Sequence, residues 1–270
     1  MPAIEAEELS QITERLATAV REAGALAHSL FQTPLKSWTK GPSASPVSEA
    51  DIAVDKLLRE RLSAIGDNFA WLSEESADDP ERLAARHVWI VDPIDGTRAY
   101  IAGLPDWAVS AALIEDGRPI TACLYAPVMD AFLVARNKAG ATCNGIAIAA
   151  TKGGDLRDLR IAGPRSLLER LPGVMPQFTA APRVRSLALR LAQVAQGTCD
   201  IAFAGGNSHD WDLAAADLLV HEAGGALTPF GGGSVTYNCP VPRHGMLVAA
   251  GRDRHAALIE FLGDGRLAFS

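Results

Sequence analysis

Few residues in this chain belong to the types that mark a stapled, membrane-spanning or nucleic-acid-binding protein. Cysteine occurs four times in 270 residues, at Cys123, Cys143, Cys199 and Cys239. No two form a CxxC pair and no His/Cys cluster surrounds them, which argues against a structural zinc site and a disulfide framework. A reducing cytoplasm is the expected compartment. No apolar run reaches the roughly 18 residues of a spanning helix, and the acidic, amphipathic N-terminus lacks the basic and then apolar run of a signal peptide. No membrane partner is expected. Positive charge is also short, with 25 Lys and Arg against 32 Asp and Glu for a formal charge of -7. The densest basic group, Arg183, Arg185 and Arg190, falls at the start of a predicted helix rather than in a patch, so binding to a nucleic-acid polymer is not expected. A small phosphorylated ligand remains compatible with an acidic chain, because bound cations reverse the sign of a local acidic site.

What is present is apolar and patterned. At 48% hydrophobic residues the chain can bury a large core. Leu9, Ile12, Leu16, Val20, Ala23, Ala27 and Phe31 recur at spacings of three and four, which predicts a long amphipathic helix. The Gly-, Ser- and Pro-containing segment from Lys40 to Pro46 reads as an exposed loop and a candidate mobile lid, before Ser48 opens a second helix. From there short apolar runs bounded by Gly, Pro or Asp read as strands: Phe69–Leu72, His87–Val91, Trp107–Ile114, Ile120–Tyr125 and Ala131–Ala135. Asp116-Gly117 is a hairpin turn signal. Beyond about residue 152, strands at Leu159–Ala162, Ile201–Ala204, Ala226–Thr228 and Met246–Ala250 alternate with helices at Val184–Ala195, Asp212–Glu222 and Arg254–Leu262, the mark of a layered α/β arrangement. The expected organisation is an N-terminal α+β half, 1–152, and a C-terminal α/β half, 153–270, with the active site at their junction.

Three acidic motifs carry the chemistry. In Trp89-Ile-Val-Asp-Pro-Ile-Asp-Gly-Thr97 an apolar strand delivers Asp92 and Asp95 into a loop, with the Ile94 carbonyl between them. Oxygen donors at this spacing suit a hard divalent cation such as Mg²⁺ far better than zinc, although a bare pair of this kind also serves an Asx-type turn. Trp71-Leu-Ser-Glu-Glu-Ser76 places Glu74 and Glu75 at the end of another apolar run, where a solvated turn is the alternative. Trp211-Asp-Leu-Ala-Ala-Ala-Asp217, followed by Glu222-Ala-Gly-Gly225, sets Asp212 in the first turn of a helix, a position that a capping carboxylate also fills.

Taken together, WLSEES, DPIDGT, WDLAAAD and EAGG resemble the inositol monophosphatase superfamily of lithium-sensitive phosphatases. The resemblance runs from Lys40 to about Gly225 and implies the layered α-β-α-β-α sandwich of the inositol monophosphatase/fructose-1,6-bisphosphatase type. It implies that Glu74, Asp92 and the Ile94 carbonyl bind one magnesium, that Asp92, Asp95 and Asp212 bind a second, and that Glu74 holds a weaker third through water. Convergent carboxylates also require such cations on electrostatic grounds. Two metals would bind phosphate oxygens, activate water and stabilise the leaving alkoxide, without a covalent phosphoenzyme. The family pattern makes Thr97, with Glu74, the group that orients and deprotonates the attacking water, with Asp51 behind Thr97. Ser48-Glu-Ala-Asp51 is equally a capping box. Gly96 and Thr97 lie where a short helix would offer N–H groups to phosphate, and Lys40 matches a loop lysine near the third metal.

The substrate is less legible. Inositol-specific members typically carry a glutamate seven positions before the aspartate of the WD pair, and that position is Gly205 here. Thr97-Arg-Ala-Tyr-Ile101 and Tyr125-Ala-Pro-Val-Met129 look more like the branch that hydrolyses 3'(2'),5'-bisphosphate nucleotides, whereas Cys143-Asn-Gly145 looks more like the inositol branch. A bisphosphate nucleotide is the leading expectation, with Arg98 meeting a second phosphate, Ser186 adding a hydrogen bond and His209 facing the substrate alcohol. Inositol 1-phosphate, histidinol phosphate and fructose bisphosphate are alternatives. A regulatory, partner-binding protein that keeps its metal site is an alternative of another class. The resemblance is compatible with a homodimer and with a monomer.

Overall fold

The structure, a computed structural model, describes residues 4–41, 45–66, 69–173, 175 and 177–263. Helix α1 (Ala6–Leu30) buries Leu9, Ile12, Leu16, Val20, Ala23 and Ala27, the positions that its three- and four-residue spacing picks out. At Gly24 a β-carbon would lie 2.2 Å from the Tyr125 ring. Glycine there costs about 1 kcal/mol of helix propensity and lets the helix close on the sheet beneath.

Strands β1 (Ser37–Lys40) and β2 (Ser45–Ser48) pair antiparallel, with Ser37 opposite Ser48 and Lys40 opposite Ser45. This corrects the ends of the loop expected from Lys40 to Pro46, since Lys40, Ser45 and Pro46 are strand residues. Pro46 lacks an N–H, which a two-stranded ribbon tolerates at its edge and which disguises the strand in sequence. The lid expected in this segment falls in part on residues 42–44, which lie outside the described residues. Helix α2 (Glu49–Ser63) follows directly.

A seven-stranded sheet comprises β3 (Ala70–Ser73), β4 (His87–Asp95), β5 (Ala108–Glu115), β6 (Arg118–Ala126), β7 (Ala131–Arg136), β8 (Gly140–Cys143) and β9 (Ile146–Ala147), in that order. The β3 and β4 strands are parallel and the remaining neighbours antiparallel. Asp116 and Gly117 form the expected two-residue turn between β5 and β6, both with positive φ. Between β4 and β5 lies the single-turn helix α3 (Thr97–Ile101). All of β4 is buried, because both sheet faces are covered: Trp89 and Val91 pack with α1 and α2, while Val88 and Ile90 pack with helices from the second half.

That second half supplies β10 (Leu159–Ala162), α4 (Arg165–Leu168), β11 (Phe178–Ala180), α5 (Leu187–Ala195), β12 (Ile201–Ala204), β13 (Ser208–His209), α6 (Asp210–Glu222), β14 (Gly225–Pro229), β15 (Arg243–His244), β16 (Leu247–Gly251) and α7 (Arg252–Gly263). Five of the strands form a sheet in the order β11-β10-β12-β16-β14, and β13 pairs with β15. Alanine-rich α5 and α6 lie between the two sheets, with Ala188, Ala192, Ala214 and Ala215 in the core that joins them. On the outer face of the five-stranded sheet, Leu167 of α4 and Leu258 of α7 cover Ile161, Phe203 and Val248. The layers are therefore α1/α2, sheet, α5/α6, sheet, α4/α7, the α-β-α-β-α sandwich expected. No helix among the described residues is long and apolar enough to cross a membrane.

Candidate metal centre

The end of β4 is where the sheet stops being regular. Asp92 pairs with Ser110 and Asp95 with Ala108, so three steps on β4 oppose two on β5 and the register slips. Bulges of this kind re-aim side chains, and Pro93, which cannot donate an N–H, sits within it. Asp92 Oδ1 accepts the Ile94 N–H at 3.0 Å, the Asx turn that a bare pair of aspartates suggests. Its Oδ2 is buried without a hydrogen-bond partner among the described residues.

Asp95 is held differently. Its Oδ2 accepts the Ser186 hydroxyl at 2.5 Å and the Ala188 N–H at 2.6 Å, and its Oδ1 accepts the Leu187 N–H at 3.2 Å. It thereby receives the first amides of α5, where the helix dipole favours a negative charge. Gly96 makes this docking possible, since at φ +94° a β-carbon would lie 3.0 Å from the Asp106 carbonyl oxygen and 3.3 Å from the Ser186 nitrogen.

Asp212 arrives from the other half of the chain, in the first turn of α6, with Oδ2 accepting the His209 N–H at 2.7 Å. Capping and convergence are thus compatible: Asp92, Asp95 and Asp212 each offer a carboxylate oxygen within 4.8 Å of the others. Glu74 lines the same cleft, of about 310 Å³. It follows β3, and its N–H donates to the Val91 carbonyl at 3.3 Å. Lys40 Nζ lies 2.6 Å from Glu75 Oε1 and 3.5 Å from Glu74 Oε1, and donates to the Glu74 carbonyl at 2.9 Å. Asp55, which the motifs do not reveal, accepts the Ser73 hydroxyl at 2.5 Å and the Ser76 hydroxyl at 2.8 Å, gripping the turn that presents Glu74 from both sides.

Beside the carboxylates, the Thr97 hydroxyl lies 3.0 Å from both Asp51 Oδ1 and the Ile94 carbonyl. Both are acceptors, so the hydroxyl proton is committed to one of them and the Oγ1 lone pairs remain available. The other Asp51 oxygen accepts the Ser48 N–H and hydroxyl at 2.8 and 2.6 Å, so Asp51 caps α2 and contacts Thr97 at once.

So many buried carboxyl groups resist ionisation. Burial, followed by repulsion from Glu74, Asp95 and Asp212, pushes Asp92 well above the ordinary carboxylate range. Glu74 is raised to about 8, by burial first and by Asp212, Glu75 and Asp51, with Lys40 opposing. Asp95 is raised to about 7 by burial and Asp212, opposed by Ser186 and the α5 amides. Burial also raises Asp51, its bonds to Ser48 and Thr97 opposing. A clustered set of hard oxygen donors, reluctant to ionise and including one buried oxygen with no partner, fits a divalent cation of the magnesium type.

Two expectations are revised. Ser186 does not line the cleft: it is fully buried, its hydroxyl donates to Asp95, and its oxygen accepts the Leu189 N–H as the cap of α5. The helix begins at Leu187 rather than Val184 for this reason. The three arginines read as the prelude to a helix do cluster, since Arg183, Arg185 and Arg190 line the cleft together with Arg98, Gly96 and Thr97. The docking of α5 on Asp95 carries them there, and the available signal was Ser186 itself, an N-cap residue directly before an apolar run. Arg185 is engaged by Asp106, its N–H donating to Oδ2 at 2.7 Å and its guanidinium at 3.2 Å. Burial lowers the Arg190 guanidinium from its ordinary value, with Asp95 opposing and Arg183 adding to the shift. His209 stacks on Trp211, ring centroids 4.6 Å apart, with Nδ1 3.8 Å from Asp212 Oδ2. Gly205 lies in the turn after β12 and brings no carboxylate.

Fold and cleft together define a class, the layered phosphatases with an acidic metal cage at the end of a β-strand. The model of the inositol monophosphatase family matches residues 8–264, and the chain belongs to that family. An inositol-1-monophosphatase of Mesorhizobium japonicum is 33% identical over 214 residues, covering 72% of this chain and 75% of its own. A 3'(2'),5'-bisphosphate nucleotidase CysQ of Aggregatibacter actinomycetemcomitans is 29% identical, covering 72% and 76%. Among solved structures, an IMPase/NADP phosphatase complexed with Mg²⁺ and phosphate superposes with a TM-score of 0.81 at 20% identity, over 94% of this chain and 95% of that one. As a family member the chain is a phosphoric monoester hydrolase.

Proposed function

We propose that the chain hydrolyses a small phosphorylated metabolite with magnesium and water, without a covalent phosphoenzyme. The observation that carries this is the meeting of Asp92, Asp95 and Asp212 within 4.8 Å, with a partnerless buried oxygen on Asp92. Glu74, Asp92 and the Ile94 carbonyl would hold one ion, Asp92, Asp95 and Asp212 a second, and Glu74 a third through water. The structure superposed at 20% identity was obtained with Mg²⁺ and phosphate. When bound, magnesium supplies Lewis-acid stabilisation of charge on phosphate oxygens and makes water more acidic.

The chain's own groups do the rest. Thr97 Oγ1 accepts a hydrogen bond from the attacking water, because its own hydrogen is committed to Asp51 or to the Ile94 carbonyl. As that water loses its proton to Thr97 Oγ1, the threonine hydrogen passes to Asp51 Oδ1, 3.0 Å away. Burial holds Asp51 above the ordinary carboxylate range, which suits it to receive a proton. Glu74 helps to orient the same water. The Gly96 and Thr97 N–H groups at the start of α3 meet phosphate oxygens, and Lys40 steadies Glu74 and Glu75 through the contacts already given. The sheet built from residues 70–147 brings Asp92 and Asp95, and α6 of the later half brings Asp212, which supports the division at about residue 152. A cytoplasmic site of action, expected from four unpaired cysteines, belongs to the same proposal.

Among substrates a 3'(2'),5'-bisphosphate nucleotide leads, because Gly205 offers no carboxylate to ring hydroxyls and Arg98 lines the cleft mouth. Inositol 1-phosphate and histidinol phosphate are the alternatives within the family. Release of phosphate from a small ester with magnesium tests the activity itself: EDTA abolishes it, and Asp95→Asn lowers it about a thousandfold, the several kcal/mol that a metal contributes. Full activity in Asp95→Asn, or none in the wild-type protein, would instead favour a regulatory protein that retains the cage.

A further inference from the structure

Helix α2 meets the metal centre along one edge of its buried face. Ala50, Val54, Leu58 and Leu62, spaced by four, pack into the core, and Asp51 and Asp55 form the adjacent buried row, one turn apart. Two carboxylates taken out of water need hydrogen-bond donors. Asp51 finds them in Ser48 and Thr97. Asp55 finds them in the hydroxyls of Ser73 and Ser76, which flank Glu74.

Both hydroxyls are bonded in a fixed sense. Ser73 Oγ donates to Asp55 Oδ1 at 2.5 Å and accepts the Glu75 N–H at 3.3 Å. Ser76 Oγ donates to Asp55 Oδ2 at 2.8 Å and accepts the Trp71 indole N–H at 3.3 Å. A hydroxyl has one proton to give, so an acceptor-only carboxylate at position 55 dictates the direction of every bond in the turn. The Glu74 N–H is tied in turn to the carbonyl of Val91, the residue before Asp92. The backbone that carries Glu74 is thus held from α2 on one side and from β4 on the other.

Resting on the phosphomonoesterase reading above, we infer that Asp55 is a positioning residue for Glu74. It does not line the cleft, whereas Glu74 does, and it acts by holding the 73–76 turn in the arrangement that points Glu74 inward. Helix α2 then serves both groups that orient the attacking water, since Asp51 steadies Thr97 from the preceding turn of the same face. Partners that orient a metal-binding side chain contribute about 10- to 100-fold in metal affinity or activity.

Calorimetric titration of the metal-free protein with magnesium chloride, alongside kcat and KM for a small phosphate ester, tests this. Asp55→Ala should weaken magnesium binding about tenfold and lower kcat at subsaturating magnesium, with KM for the ester little changed. Asp55→Asn, which keeps one acceptor oxygen, should fall between Asp55→Ala and wild type. On a Glu74→Gln background Asp55→Ala should add almost nothing, because the group through which it acts is already lost. A role confined to holding the fold would lower the metal-free Tm and leave magnesium affinity unchanged, and that result overturns the inference. A tenfold loss that persists on the Glu74→Gln background overturns it as well. If Asp55→Ala does not fold, Ser76→Ala removes a single hydroxyl and carries the same comparison, a smaller loss supporting the inference and wild-type affinity refuting it. A wild-type protein that neither binds magnesium nor hydrolyses any ester refutes the phosphatase reading, and the inference with it.

Discussion

At the scale of single residues, the site is a study in shared duties. Asp51 caps α2 and contacts Thr97, Asp212 caps α6 and joins the carboxylate cluster, and Asp92 closes an Asx turn with one oxygen while the other stays without a partner. Motif inspection offers capping and chemistry as competing accounts, yet a carboxylate has two oxygens and can satisfy both. The Thr97 hydroxyl is the sharpest test of how the chemistry is divided. Thr97→Ala should lower kcat on the order of a hundredfold or more with little change in KM, as expected of a proton-handling group, and Thr97→Ser should recover most of it. Steady-state kinetics at saturating magnesium would show this, and an unchanged kcat in Thr97→Ala would remove Thr97 from the proton path.

The elements tell which parts of the molecule a one-dimensional pattern can reveal. Strand β4 and helices α1 and α6 were legible because apolar periodicity and turn residues agree along each. Asp92, Asp95, Glu74 and Asp212 stood out because distinctive neighbours surround them. The β1–β2 hairpin was hidden because its composition is that of a loop. The arginines were hidden because what gathers them is a tertiary event, the docking of the α5 N-terminus on Asp95. That docking depends on Gly96, whose left-handed φ and lack of a side chain admit the Asp106 carbonyl and the Ser186 amide. Gly96→Ala should therefore destabilise the protein by about 1–3 kcal/mol, read as a lower urea midpoint, and should weaken activity further than the stability loss explains. A midpoint equal to wild type would show that α5 does not need this close approach.

For the whole molecule, the crowded carboxyls make stability depend on pH and metal together. Without magnesium, the folded protein keeps protons on Glu74 up to about pH 8 and on Asp95 up to about pH 7, whereas unfolded carboxyls lose theirs near pH 4. The folded state thus binds more protons over this interval, and its stability falls as pH rises through it. In EDTA, calorimetry should show Tm decreasing from pH 5 to pH 8, and added magnesium should raise Tm more at pH 8 than at pH 5. A metal-free Tm that is flat or climbs over that range would contradict the crowding described.

The placement of α5 and α6 between two sheets has a consequence for how the enzyme comes into being. A nascent chain that has finished only the seven-stranded sheet owns Asp92 and Asp95 but neither Asp212 nor the amides that steady Asp95. A magnesium ion held as proposed would therefore find its full set of oxygen donors only once α5 and α6 have packed against that sheet.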